Sequence, residues 1–232
     1  MGFAHPFSGP AMTSASLQID IVSDVVCPWC YIGKRKLEAA LALPEAAALP
    51  APLLRWHPFQ LNPDLPPEGV SRKTYLEQKF GGPERAAQVY ERVRAAGAAV
   101  GLALNIDGIT LQPNTRAAHA LIAFAQQPEV DRGAEVKERL MRAYFVENRF
   151  IGDPEVLAQI AAEAGLDGAA AGDFVQDPAQ LQAIAEADEQ ARGMGIQGVP
   201  FFIFNRRLAV SGAQDPAVLL DAMRQALAAP AA

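Results

Sequence analysis

The chain contains two cysteines, Cys27 and Cys30, and both lie in the stretch VVCPWCYIGKRKL, Val25 to Leu37. Two residues separate them, one a proline and the other a tryptophan. If a helix begins at this point, positions i and i+3 place both sulfurs on one helical face. The two sulfurs can then form a small disulfide ring, so the spacing is typical of reversible thiol–disulfide chemistry.

The flanking residues predict a strand that leads into a helix. LQIDIVSDVV, Leu17 to Val26, is rich in β-branched residues and ends at Cys27. From Pro28 to about Leu43 the apolar residues follow helical spacing. Pro28 fits the first helical position, where its fixed φ is suitable and its missing N–H is not needed.

This junction predicts different roles for the two thiols. The unpaired N–H groups and the positive end of the helix dipole stabilise a thiolate at Cys27. Cys30, one turn inside the helix, is more enclosed and is placed to attack a mixed disulfide formed on Cys27. The sequence therefore predicts Cys27 as the nucleophile and Cys30 as the resolving thiol.

Two other uses of the cysteines stay open. They cannot complete a four-ligand zinc site, and His5, His57 and His119 show no paired spacing. A mixed Cys/His site assembled in three dimensions is one alternative, and two buried cysteines acting as small apolar residues are the other. Redox chemistry is favoured over both, and we expect no metal.

Composition narrows the function classes. The chain has 232 residues, 50% of them hydrophobic, and a net charge of −6, which argues against a nucleic-acid-binding surface. No apolar run approaches the ~20 residues of a membrane span. MGFAHPFSGPAMTSASLQID lacks the pattern of a secretory signal, and residues 1–11 are interpreted as a tail or an over-long start. We therefore expect a cytoplasmic protein with reduced thiols.

The remaining elements predict an interrupted α/β fold. A second strand is expected at Pro52–Phe59, and strands return only at Val199–Asn205 and Arg207–Gly212, before a last helix. Between them the patterns predict six helices, with N-caps at Asn114, Asp131, Asp153 and Asp177. The predicted helices are about 71–80, 83–100, 114–127, 131–147, 153–164 and 178–193.

Five stretches resemble, in order, the FrnE-like branch of the DsbA family, over about residues 15–226. They are IVSDVVCPWCYIGKRKLEAAL, PFQLNPDLP, PNTRAAHALIAFA, LMRAYFVENRFIGD and GVPFFIFNRRLAVSGAQ. The resemblance implies a thioredoxin-like fold with a large all-helical insertion. Residues 13–64 and 191–232 would form the two halves of the thioredoxin-like domain, and residues 65–190 the insertion.

The resemblance also implies residues that bind substrate. Val199-Pro200 is expected to be a cis bond facing the cysteines, with the Val199 backbone free to pair with substrate; an ordinary strand-opening proline is the alternative. Trp29 is expected to be an exposed apolar surface beside Cys27, or else to pack against the insertion. His57, expected on the loop after the second strand, is a candidate for the substrate edge because family members often carry a basic residue nearby.

One position departs from the family. Many thioredoxin-fold oxidoreductases bury an acid six residues before the nucleophile, and that position here is Ile21. Asp24 could approach the cysteines from the loop, but we interpret it as a solvated turn residue. His119 is interpreted as a buried structural histidine. Lys34, Arg35 and Lys36 lie roughly 10–14 Å down the helix from Cys27, so we expect a solvated face.

The resemblance implies a thiol-disulfide oxidoreductase that acts on protein or small-molecule disulfides, binds no cofactor and uses glutathione at most as a co-substrate. A cytoplasmic protein of this kind would rest as the dithiol and act as a reductase or isomerase. A homodimer is compatible with the sequence. The alternatives are a glutathione-linked isomerase or transferase of the kappa-class or 2-hydroxychromene-2-carboxylate isomerase type, in which serine typically replaces the first cysteine, and a non-catalytic partner of an assembly.

Overall fold

The computed structural model describes residues 16–228. The expected tail at residues 1–11, together with His5, lies outside the described residues. Within them, the order of elements follows the interrupted α/β pattern that the sequence predicts. Strand and helix bounds differ from the predicted ones by a few residues at most element ends.

Four strands form the central sheet, in the order β2-β1-β5-β6. β1 (Leu17–Ser23) pairs in parallel with β2 (Pro52–Pro58), and this pairing sets Ile21 opposite Trp56. On its other edge β1 pairs antiparallel with β5 (Phe201–Phe204), which in turn pairs with β6 (Leu208–Ser211). β1 is buried along its whole length, so the turn that follows it emerges from the centre of the molecule.

Two helices belong to the strand-bearing halves of the chain. α1 (Pro28–Leu41) connects β1 to β2, and α9 (Pro216–Ala228) follows β6 and packs against α1. Gly33 of α1 allows this layer to lie close to β5. A Cβ added to Gly33 would lie 2.8 Å from Cγ of Pro200, the residue just before β5, so only glycine fits here without displacement.

The chain between β2 and β5 is mainly helical, as the sequence predicts. It also contains a short antiparallel ribbon in which β3 (Val70–Ser71), before α2, pairs with β4 (Leu111–Gln112), after α3. This ribbon and one short helix, α7, were not predicted from the sequence. The helices are α2 (Arg72–Phe80), α3 (Pro83–Ala98), α4 (Arg116–Ala125), α5 (Gly133–Phe145), α6 (Pro154–Glu163), α7 (Gly168–Phe174) and α8 (Pro178–Gly193).

The predicted helix caps are half right. Asp153 and Asp177 accept hydrogen bonds from the first-turn N–H groups of α6 and α8, as expected for aspartate caps. The caps of α4 and α5 lie one residue after the predicted Asn114 and Asp131, at Thr115 and Arg132. Asn114 nevertheless accepts a hydrogen bond from the Arg116 N–H that opens α4, and its amide also bridges loops, donating to the carbonyls of Pro63 and Leu65.

The helical segment and the sheet share one hydrophobic core. Ile19 of β1 and Ile32 of α1 belong to the same buried cluster as Leu121, Leu140 and Leu157 of α4, α5 and α6. Gln126 adds a polar contact, since its side chain both accepts from the Trp56 N–H and donates to the Trp56 carbonyl. No helix among residues 16–228 is long and apolar enough to cross a membrane. The exact domain boundaries stay predictions.

Candidate active site

Cys27 and Cys30 lie where the sequence analysis places them, at the junction of β1 and α1. Cys27 is the N-cap residue with extended backbone, Pro28 opens the helix, and the Cys30 N–H donates to the Cys27 carbonyl at 3.0 Å. Both cysteines are free thiols and both are buried, Cys27 with 5% exposure and Cys30 with 2%. Cys27 alone of the two lines a surface cavity.

The two thiols differ in acidity because one stabilises the other. A hydrogen bond from the Cys30 thiol lowers the pKa of Cys27, against the opposing effect of burial, and the backbone N–H groups of Cys30 and Trp29 lower it further. Burial raises the pKa of Cys30 well above the usual value, and the Cys27 sulfur adds to this rise. The sequence predicts the lowered pKa of Cys27 from the helix end, and the structure adds the hydrogen bond from Cys30 as a further cause.

Val199 and Pro200 reach the cysteines from β5. The Val199-Pro200 bond is cis, and the Cys27 thiol donates to the Val199 carbonyl at 3.7 Å. Pro200 packs against Gly33 of α1. The structure therefore has the cis bond that the family resemblance implies and brings the Val199 carbonyl to the nucleophile, while pairing of Val199 with substrate stays a prediction.

The interpretation of Asp24 as a solvated residue is wrong. Its side chain is completely buried, because the loop after β2 and helix α4 cover the turn between β1 and α1. One carboxylate oxygen accepts from the Leu61 N–H at 2.8 Å, and the other lies 3.3 Å from Nε2 of His119. Burial alone would raise the pKa of Asp24, but the His119 and Leu61 hydrogen bonds and the charge of Lys137 hold it below its usual value.

His119 is buried, as the sequence analysis expects, but it belongs to the redox centre. Burial lowers the pKa of its imidazole more than the Asp24 carboxylate raises it, so His119 is neutral at pH 7. A neutral ring with its proton on Nε2 donates to Asp24. His119 thereby fixes the position of a carboxylate whose charge acts on the Cys27 thiol.

Lys137 of α5 is the ionisable residue that sequence reasoning missed. Its side chain is fully buried, its ammonium has no hydrogen-bond partner among the described residues, and Nζ lies 5.5 Å from the centre of the Trp56 ring. Trp56 is paired with Ile21, the position where related enzymes carry a buried acid. Burial lowers the pKa of Lys137 to about 8, while the charges of Cys30, Asp24 and Cys27 oppose this shift.

The basic run that follows the cysteines is not a solvated face. Lys34 is buried with 6% exposure and pairs with Glu138 of α5 at 2.6 Å and with Glu38. Arg35 also pairs with Glu138, and the Tyr31 hydroxyl donates to the same carboxylate at 2.7 Å. These contacts attach α5 to α1, so Lys137 and the cysteines are held on neighbouring elements.

A cavity of about 290 Å³ opens on Cys27. Trp29, which is 41% exposed, lies at its edge beside Cys27, and Val199 contributes to its wall. His57 does not line it: this residue lies within β2 rather than on the following loop, and its Nε2 is 2.8 Å from Asp20. Among residues 16–228, no group of three or more His, Cys, Asp or Glu side chains could hold a metal ion.

Comparison with known proteins identifies the family. The family model of the DsbA-like thioredoxin domain matches residues 18–224. The chain belongs to this family. It is 30% identical to a probable DsbA oxidoreductase from Streptomyces coelicolor, whose crystal structure superposes with a TM-score of 0.82 over 93% of this chain and 92% of that one.

Two further proteins resemble this chain, one in sequence and one in fold. An uncharacterized Bacillus subtilis protein, YwbO, is 29% identical over 81% of this chain and 86% of its own. The cytosolic disulfide reductase DsbM from Pseudomonas aeruginosa, solved with glutathione, is 21% identical; it covers 91% of this chain and 96% of its own, with a TM-score of 0.58, and so shows the fold alone. The DsbA-like family and the geometry at Cys27 make this chain a thiol-disulfide oxidoreductase.

We expect Gly33→Ala to destabilise this DsbA-like fold, although alanine is the better helix former by about 1 kcal/mol. The added methyl group would overlap the Pro200 ring, and overpacking of this kind typically costs about 1–3 kcal/mol. Gly193→Ala is the matched control, since it also lies in a helix and its Cβ would meet nothing within 4 Å. Thermal unfolding should show a lower Tm for the first variant and an equal or higher Tm for the second.

We expect Lys137→Met to stabilise the oxidised protein, in which the thiols do not titrate. Burial lowers the pKa of Lys137 from 10.5 to about 8 in the dithiol protein. In the disulfide form the cysteine charges that oppose this shift are absent, so the pKa is lowered at least as far, and below it the native state holds a buried ammonium at a cost of about 3 kcal/mol or more. Between pH 8 and 10.5 the unfolded chain binds the extra proton, so wild-type stability rises with pH. The advantage of the variant should therefore shrink across this window in denaturant unfolding.

The same variant should weaken the thiols as acids, because the Lys137 charge lowers the pKa of Cys30. Thiolate absorbance followed against pH should show a higher Cys30 pKa than in wild type. Arg142→Met removes a charge from the exposed side of the same helix and should leave both measurements unchanged. An unaltered thiol titration in Lys137→Met would contradict the placement of this charge beside the redox pair.

Proposed function

We propose that this oxidoreductase reduces or isomerises disulfides in the cytoplasm, with Cys27 as nucleophile and Cys30 as resolving thiol. The observation that carries the proposal is the unequal placement of the two thiols: Cys27 caps the helix and lines the cavity, whereas Cys30 is enclosed one turn inside. Cys27, with its lowered pKa, faces the cavity, and Cys30, with its raised pKa, lies behind it. An accessible thiolate attacks, and an enclosed thiol keeps its proton until it is needed.

The proposed reduction proceeds through two thiol–disulfide exchanges. The Cys27 thiolate attacks one sulfur of the substrate disulfide, forming a mixed disulfide and releasing the other sulfur as a thiolate. Cys30 then gives its proton to the first thiolate released or to water and attacks the Cys27 sulfur, which releases the second substrate thiolate and leaves a Cys27–Cys30 disulfide. Two electrons pass to the substrate, and Lys137 lowers the pKa of Cys30 for the second step.

The reducing potential of the cytosol determines the proposed direction of electron transfer. A strongly oxidising dithiol couple near −120 mV would meet a cytosolic poise at least ~100 mV lower, which favours the dithiol by about 4–5 kcal/mol. The protein would therefore rest reduced and pass electrons to disulfides. The cytosolic disulfide reductase named among the structural relatives supports this direction.

The proposed substrate site lies around Cys27. Trp29 supplies an apolar surface, and Val199 forms the wall next to the nucleophile. Pro200, expected at the same site, lies buried behind Val199 against Gly33. Glutathione is proposed as a co-substrate, supported by the glutathione in the structure of a relative with this fold. His57, which is engaged with Asp20 inside the sheet, is not part of the proposed site. Membership of the FrnE-like branch and a homodimer stay predictions.

Alkylation tests the assignment of the nucleophile. We expect limiting iodoacetamide to modify Cys27 first, with an apparent pKa below that of an ordinary thiol, because only this sulfur faces the cavity and its pKa is lowered. Peptide mapping at a series of pH values measures both properties. Preferential labelling of Cys30 would reverse the assignment.

Trapping tests the reaction itself. Cys30→Ser should accumulate a mixed disulfide on Cys27 when mixed with insulin or a small disulfide, because the resolving step is removed. Cys27→Ser is the control and should trap nothing. Turnover of insulin disulfides by wild type separates an oxidoreductase from a glutathione-dependent isomerase, which would instead isomerise an aromatic substrate without disulfide exchange.

A further inference from the structure

The cavity over Cys27 carries a charge opposite to that of the whole chain. The net formal charge is −6, yet the described residues that line this cavity include Arg72 and Lys79 and no aspartate or glutamate. Asn62 and Gln112 supply further polar groups. A local positive field in an acidic protein concentrates anions where the overall charge would repel them.

Arg72 is a buried cation without a carboxylate partner among the described residues. It is 4% exposed, and Nη2 donates to the Tyr90 hydroxyl at 2.6 Å while Nη1 donates to Gln112. Its Nε has no hydrogen-bond partner, and the guanidinium is stacked near the rings of Tyr75 and Tyr90. Neutral partners fix its position but leave its charge uncompensated, which is costly in a buried group.

Lys79 continues the positive side of the cavity towards solvent. It lies on α2 two turns beyond Arg72, is exposed, and donates to the Tyr75 hydroxyl at 2.7 Å. Tyr75 in turn donates to Asn62 at 2.9 Å, so the residues between the two cations are linked by hydrogen bonds. The two cations and Cys27 therefore face one cavity.

We propose that this cavity selects small disulfides that carry a carboxylate, with Arg72 and Lys79 binding the anionic group while Cys27 attacks the sulfur. The inference rests on the proposed reductase function and names its substrate class. A volume of about 290 Å³ is at the small end for ligand sites, so it holds one half of a small disulfide. Arginine is suited to this task because its planar fork matches a carboxylate.

A single turnover needs no reactant besides the dithiol protein and the disulfide. The Cys27 thiolate forms a bond to the sulfur of the bound half, and the other half leaves as a thiolate. Cys30 then gives its proton to the first thiolate released or to water, and its sulfur displaces the bound half, which leaves as a second thiolate that carries its carboxylate out of the cavity. The protein is oxidised by two electrons, and the disulfide is reduced to two thiolates that share the one proton from Cys30.

The test compares three disulfides of similar size and different charge: dithiodipropionate, hydroxyethyl disulfide and cystamine, which are anionic, neutral and cationic. Fully reduced protein is mixed with each one, and the single-turnover rate is divided by the rate with free mercaptoethanol to remove intrinsic reactivity. We expect this corrected rate to be highest for the anionic disulfide, intermediate for the neutral one and lowest for the cationic one. The net charge of the chain alone gives the reverse order, and that order would overturn the inference.

Substitutions test which residues cause the preference for the anionic disulfide. Arg72→Gln should lower the anionic-to-neutral ratio by about tenfold or more, as expected for a lost charged hydrogen bond, and Arg72→Lys should retain part of it. Lys79→Gln, at an exposed site where folding is not at risk, should lower the ratio up to about fivefold. Lys73→Gln removes the same charge from the same helix outside this cavity and should leave the ratio unchanged.

A non-reducible pair separates this inference from the proposed function. Thiodipropionate and thiodiethanol are thioethers that differ in charge, and calorimetry on Cys27→Ser measures their binding without any exchange. Preference for the anion, abolished by Arg72→Gln, would support the cavity assignment even if no disulfide reacts. Equal binding of both thioethers, or a ratio unaltered in Arg72→Gln and Lys79→Gln, would overturn it.

Discussion

Two buried charges, the Asp24 carboxylate and the Lys137 ammonium, lie next to a pair of buried thiols, and the active site depends on their balance. In a low-dielectric interior each charge would be strongly unfavourable alone. Together they act in opposite senses on the thiols: Asp24 raises the pKa of Cys27, and Lys137 lowers the pKa of Cys30. Both charges therefore shift the pKa values of the thiols from buried positions that do not line the cavity over Cys27.

The helical segment completes this redox centre. His119 comes from α4 and Lys137 from α5, while Glu138, next to Lys137, holds α5 to α1 through Lys34. Ionisable side chains that act on the thiols thus come from the inserted helices as well as from the turn after β1. The segment also supplies the cationic side of the cavity through α2. The inserted helices therefore contribute both to the surroundings of the thiols and to the cavity over Cys27.

Asymmetry between the two thiols follows from a single helical turn. Cys27, the N-cap residue, receives the N–H groups of Trp29 and Cys30 and faces the cavity, whereas Cys30 is enclosed and donates to it. Gly33, one turn further, lets Pro200 pack against the same helix and brings Val199 to the nucleophile. One short stretch of helix therefore sets reactivity and position together.

The sequence by itself determined the redox pair, its strand–helix junction, the six longer helices of the segment and, through family resemblance, the place of Pro200, because these depend on local patterns and short spacing. Sequence reasoning placed Asp24 and Lys34 in solvent and did not single out Lys137 or Arg72, because charged residue types are usually exposed. Their burial depends on partners far along the chain, such as Asp24 with His119 and Lys34 with Glu138. Only tertiary packing could decide these positions, because a charged side chain is buried where distant elements supply the compensating groups.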